Sequence, residues 1–383
     1  MKRRTRLTAA AVSLALALSA CGTTEEPEQP HGYVEGAEEL PEAQSAIAYA
    51  ARGARQVRLI DLASETEKQV SLSIGAQKLT EDGRFLYVTD GDRRLEIVDA
   101  GVWTVDHTDH VHYYRAPARS LGALTFDAPI STVTGFGAHT TIGTADGQIR
   151  VLDRRELEAG QVVETARFAS GGSSALAVPY ADLLLVTVGE NRIAALRADG
   201  SESGALQAPC EAPRGAVVLR GGAVIACKDH LVRVKHDQNQ LTAKVLKSPR
   251  SPVPSNGFGH RPRSNEAALA DPTGIWSVNA AKATLQHLPA GGRDLVAAAS
   301  PADGSTVLAL DRAGTLTSHD LATGKQIAAA PLKASSLTLD INRAYLASPA
   351  ARVIHEIDYR DGLRTARTLR TSDQPDLMVE VGR

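Results

Sequence analysis

The chain has 383 residues, 43% of them hydrophobic, with 42 Lys and Arg against 44 Asp and Glu and a formal charge of −2. That length supports a sizeable core, while a near-neutral balance without a basic stripe argues against nucleic acid as a partner.

Residues 1–20 open with the basic stretch MKRRTR, continue as the apolar run LTAAAVSLALALSA and end in Leu18, Ser19 and Ala20 before Cys21. This is the pattern of a lipoprotein signal peptide, too short in its apolar part for a comfortable membrane span. Cleavage would leave Cys21 lipidated and tether the protein to the outer face of the cytoplasmic membrane. An ordinary secretory peptide cut nearby is the alternative. Losing the four basic residues of the leader leaves 38 cations against 44 anions, a charge of −6. Residues 21–45 follow as an acidic tether: seven glutamates and three prolines among residues 22–45, with almost no large apolar residue, bury too little surface to offset the entropy of ordering.

From residue 46 to 383 the sequence reads as one all-β domain. Short segments rich in Val, Ile, Leu and Thr alternate with Gly, Asp and Asn, and no long helical period is present. A hairpin unit repeats: AIAYAARGARQVRLID ends at Asp61, FLYVTDGDRRLEIVD at Asp99, TIGTADGQIRVLD at Asp153 and LLVTVGENRIAAL at Leu196. VIACKDHLVRVKHD ends at Asp237, AALADPTGIWSVN at Asn279, VLALDRAGTLTSHD at Asp320 and AYLASPAARVIHEID at Asp358. Spacings of 38 to 54 residues match a four-stranded propeller blade, which cannot cover both of its faces alone. The reading is a β-propeller of eight blades, with seven as the alternative. The first copy lacks a preceding strand, and LMVEVGR at 377–383 supplies an unmatched one, so pairing of the two would close the ring.

Within the second unit, VDHTDHVHYY at 105–114 holds three histidines and two aspartates. Neutral imidazole and carboxylate are zinc donors, usually four to an ion and held by outer hydrogen bonds. If the stretch is extended, His110 and His112 point to one side. Asp106 or Asp109 can add a ligand or orient a ring, and His107 suits an outer transfer position. His139, at the turn after the next inner strand, opens on the same end of the disc and is expected to converge on the loop. The other reading is a solvated polar loop. His260, in NGFGHRPR, echoes GFGAH at 135–139 and is read as a turn residue. Cys210 and Cys227, in an oxidising compartment, suggest a disulfide, with zinc thiolate ligation left open.

The stretch GVWTVDHTDHVHYYRAPARSLG at 101–122 resembles the His/Asp-rich loop of the AztD-type periplasmic zinc metallochaperones, and Cys210 and Cys227 are similar to that family's paired cysteines. The resemblance implies a propeller that binds Zn²⁺ through Asp106, His107, Asp109, His110 and His112. It further implies delivery of the ion to the zinc-binding solute-binding protein of an ABC transporter. SGGSSALAV around Ser174 and CEAPRGAVV with Arg214 stand where the family carries further histidines, so a second zinc site is not implied. Since ligating imidazole is unprotonated, affinity is expected to fall as the solution is acidified through the histidine range.

Enzymatic motifs are missing. GGSSA at 171–175 lacks the last glycine of a nucleophile elbow, and GFG at 135–137 lacks the third glycine of a dinucleotide loop. The expectation is a binding protein rather than an enzyme, the competing function being a lipid-anchored scaffold that recognises a protein or envelope polymer without metal.

Overall fold

The computed structural model describes residues 34, 36–106, 110–173, 175–238, 240–247 and 257–383. The leader, Cys21, His107 and Asp109 lie outside them.

The repeating hairpins of the sequence are all present as antiparallel pairs, from Ala46–Ala50 with Gln56–Asp61 to Ala344–Ser348 with Val353–Asp358. Each forms the middle of a four-stranded antiparallel unit. In the first unit the strand order begins with Leu377–Val381, which pairs with Ala46–Ala50 from the other end of the described chain. The sixth and seventh units are joined into one eight-stranded sheet: Gly259–His260 pairs antiparallel with Glu266–Asp271 and parallel with Leu295–Ser300.

The middle strands explain why these sheets assemble. AIAYA, FLYVT, GAVIA and AYLAS are buried at every position, so both of their faces need an apolar neighbour. Outer strands such as ETARFA and QIAAAP have no buried position and meet solvent. Apolar clusters join successive units. Ala48 and Leu59 of the first pack with Leu86 and Val98 of the second, and Phe85 and Ile97 of the second with Ile142 of the third. At the far end Tyr345 and Ile354 of the eighth unit pack with Ile47 and Tyr49 of the first. Each fully buried Leu or Ile in these seams contributes about 2 kcal/mol.

Polar links reinforce the seams. Asp82, at the turn between the first two strands of the second unit, accepts from Arg154 Nε at 2.9 Å and from the Tyr87 hydroxyl at 2.7 Å. Arg154 starts a short helix, Arg154–Glu158, in the third unit. Burial opposes ionisation of Asp82, yet Arg154 and the surrounding donors hold its carboxyl below the usual range. Cys210 and Cys227 form a disulfide with Cα atoms 5.2 Å apart, tying the entry of the fifth unit to the end of its second strand.

The second unit departs from the repeat. Between its third strand, Arg94–Asp99, and its fourth, Arg119–Thr125, the chain inserts a hairpin of Val102–Asp106 and Val111–Arg115. Gly101 makes this possible: its φ is +72°, and a Cβ there would lie 2.3 Å from the Ala116 carbonyl oxygen. The Trp103 and Tyr114 rings stack at 5.4 Å, and the Arg84 guanidinium lies 3.7 Å above Trp103 while Asp99 grips it at 2.9 and 3.2 Å. The insertion is therefore rooted in the body of the second unit.

One expectation is corrected at this point. Residues 38–40, read as part of a structureless tether, form a strand, Glu38–Leu40, that adds to the hairpin edge opposite Tyr113–Arg115. The reason is polar pairing across the ladder: Glu38 meets the Arg115 guanidinium at 3.0 Å, and Glu39 meets the His112 imidazole at 2.7 Å.

Candidate functional site

The inserted hairpin carries the histidine-rich sequence. His112 sits inside its second strand, where cross-strand pairing with Val105 fixes the backbone, and His110 immediately precedes that strand. Their rings approach edge to face with centroids 4.9 Å apart, as expected for residues two apart on an extended segment. His112 also stacks on Tyr114 at 6.2 Å.

Glu39 holds the His112 ring through a hydrogen bond between its Oε1 and Nδ1, 2.7 Å long. With Nδ1–H donating to a carboxylate, the ring lone pair falls on Nε2. Ligating histidines are commonly prepared in this way, because the carboxylate both fixes the tautomer and raises the basicity of the other nitrogen. Glu39 was not singled out in the sequence; its hydrogen-bond partner His112 is 73 positions away.

Asp106 ends the first hairpin strand and faces elsewhere. Its Oδ2 accepts from Arg220 at 3.3 Å and from Arg263 at 3.4 Å, residues from the fifth and sixth units. Thr104, two residues earlier, donates to the Gly382 carbonyl at 2.9 Å. The hairpin thus reaches from the second unit over to the fifth and sixth.

His139 begins the second strand of the third unit, opposite Phe136 and Asp153, and its Nδ1 is buried without a hydrogen-bond partner among the described residues. Among the described residues no three His, Cys, Asp or Glu side chains form a metal-holding group. His107 and Asp109 of the expected set lie outside the described residues, and Asp106 is engaged by two guanidinium groups.

Beside this hairpin lies a cavity of about 300 Å³, lined by first strands and turns of separate units: Glu81 and Asp82, Val133 to Phe136, Ala216 to Val218, His260, Pro262, Arg263 and Arg383. His260, read from sequence as a turn residue, instead ends the two-residue strand that bridges the sixth and seventh units and opens into this cavity. Burial pushes its pKa down to about 3, with Arg383 adding to the effect, so the imidazole is neutral. Arg383 is ion-paired with Glu81. The echo between GFG at 135–137 and GFG at 257–259 was the legible signal, since Gly135, Phe136 and His260 line one cavity.

Serial four-stranded antiparallel units packed face to face define an all-β chain of the propeller-like class. The backbone is similar to the crystal structure of Citrobacter koseri AztD, with a TM-score of 0.72 at 15% identity, over 89% of this chain and 98% of that one. The apo AztD structure from the same organism gives 0.74 at the same identity and coverage. BamB from Moraxella catarrhalis follows with a TM-score of 0.52 at 16% identity, over 81% of this chain and 93% of that one. No family model matches the chain, and no curated protein matches it in sequence. The chain has an AztD-type fold.

Proposed function

We propose that the protein is an extracytoplasmic zinc metallochaperone of the AztD type, which holds Zn²⁺ on the inserted hairpin and passes it to the zinc-binding solute-binding protein of an ABC transporter. The observation that carries this reading is the Glu39–His112–His110 arrangement on an exposed hairpin of an AztD-type fold. Zinc is cargo here, and the protein acts by binding and release without catalysis. His110 and His112 are the first ligands, Glu39 orients His112, and His107, Asp109 and Asp106 complete the sphere as the ion arrives. An exposed site with exchangeable imidazole and carboxylate donors suits transfer, because ligands can leave one at a time.

The reading includes an eight-bladed ring closed through Leu377–Val381, a signal peptide over 1–20 and lipid on Cys21. The disulfide supports an oxidising location. The scaffold alternative draws support from the engagement of Asp106 by Arg220 and Arg263. Equilibrium dialysis of Zn²⁺ separates the two: wild type is expected to retain about one ion per chain and the His110→Ala/His112→Ala variant none. Equal metal content in both would favour the scaffold.

A further inference from the structure

The Asp106 carboxylate makes two long contacts with arginines. Contacts of 3.3 and 3.4 Å are longer than the roughly 2.7–2.9 Å of well-formed charge-assisted bonds, and they contrast with the 2.9 Å grip of Arg84 on Asp99 in the same chain. Arg220 and Arg263 have no other ion pair among the described residues.

Charges around the cavity otherwise cancel. Arg383 is matched by Glu81, and Arg154 by Asp82. His260 contributes no charge. Among the described residues two guanidinium groups thus face one carboxylate, and one of them, Arg263, lines the cavity. The walls next to it are apolar, from Val133, Phe136, Val217 and Pro262. Phe136 remains 45% exposed, whereas Phe85 and Phe126 are buried. A volume of about 300 Å³ is at the small end of ligand pockets.

We propose that this cavity mouth is a binding site for a small organic monocarboxylate with an apolar body, and that Asp106 is its built-in occupant. The ligand's carboxylate takes the place of Asp106 between Arg220 and Arg263, while its apolar part lies against Phe136 and Val217. Displaced from the arginines, Asp106 returns to the histidine-bearing hairpin. The site needs no metal and goes beyond the zinc-transfer reading.

Isothermal titration of metal-free protein with benzoate tests the proposal, with benzamide as the uncharged isostere. Benzoate should bind Asp106→Asn about tenfold more tightly than wild type, since the competing carboxylate is gone. Arg220→Ala/Arg263→Ala should lose benzoate binding, and benzamide should bind none of the three. Circular dichroism confirms that each variant is folded, and Arg263→Gln serves if the double variant is not. Benzoate binding that persists without the arginines, equal binding of benzamide, or no gain in Asp106→Asn would overturn the assignment.

Discussion

The inserted hairpin and the strand Leu377–Val381 both join distant parts of the chain, yet they handle ionisable groups in opposite ways. On the hairpin, His112 and Asp106 are reachable from solvent and each has a definite polar partner, Glu39 or the two arginines. On the strand, Glu380 is 1% exposed, and among the described residues neither carboxylate oxygen meets a donor in bonding geometry; Arg383 Nε stands 3.9 Å away. Burial pushes Glu380 up to about 8 against the pull of Arg383. Partners decide which atom is available on the hairpin, whereas burial decides protonation in the seam. Changes on the hairpin should therefore be read in ligand binding, and changes in the seam in stability against pH.

The largest expected effect is at Glu380. Its folded pKa lies above the unfolded value, so its proton stabilises the fold fully below about 4.5, and that contribution is lost as pH rises toward about 8. The loss amounts to roughly 5 kcal/mol. Glu380→Gln should flatten the fall of Tm between these limits in a thermal melt series; a slope equal to that of wild type would break the contrast. Next comes His112→Ala, expected to weaken zinc by about a hundredfold in competition with a chelating dye. His260→Ala should leave the same titration unchanged, because that ring belongs to the cavity.

A smaller effect is acid sensitivity from His260. Its folded pKa is depressed, so stability present above about 6.5 is lost as pH falls toward about 3, when the unfolded chain takes up the proton first. Because the ring opens on the cavity, roughly 2 kcal/mol is expected. Urea titrations of His260→Asn at acid pH should show a shallower decline. Smallest is Glu39→Gln, about tenfold in zinc affinity with little change in Tm, while Glu38→Gln, which removes only a surface ion pair, should leave zinc binding alone. Nitrogen chemical shifts of His112 report the tautomer directly. An Nδ1 lone pair in wild type would contradict the role given to Glu39.

Local pattern made much of the fold legible. Every hairpin unit picked out by its apolar run and closing polar residue is a strand pair in the structure, because middle strands are covered on both faces and their composition shows it. The pairing of LMVEV with AIAYA was readable as an unmatched strand at each end. Glu38–Leu40 was not legible: a three-residue acidic strand carries no period of its own and exists because Arg115 and His112 stand opposite. Arg220 and Arg263 were equally hidden among the chain's many arginines, since nothing local tells which of them meets Asp106.

Composition and repetition alone thus determined an all-β chain of repeating hairpins with a histidine-rich insertion in the second unit, because strand periodicity and burial are short-range properties. Tertiary structure decided which carboxylate holds which imidazole, where Asp106 points and that His260 is a neutral cavity residue. Those outcomes depend on groups 73 to 157 positions apart and on local exclusion of water, which no neighbouring residue encodes.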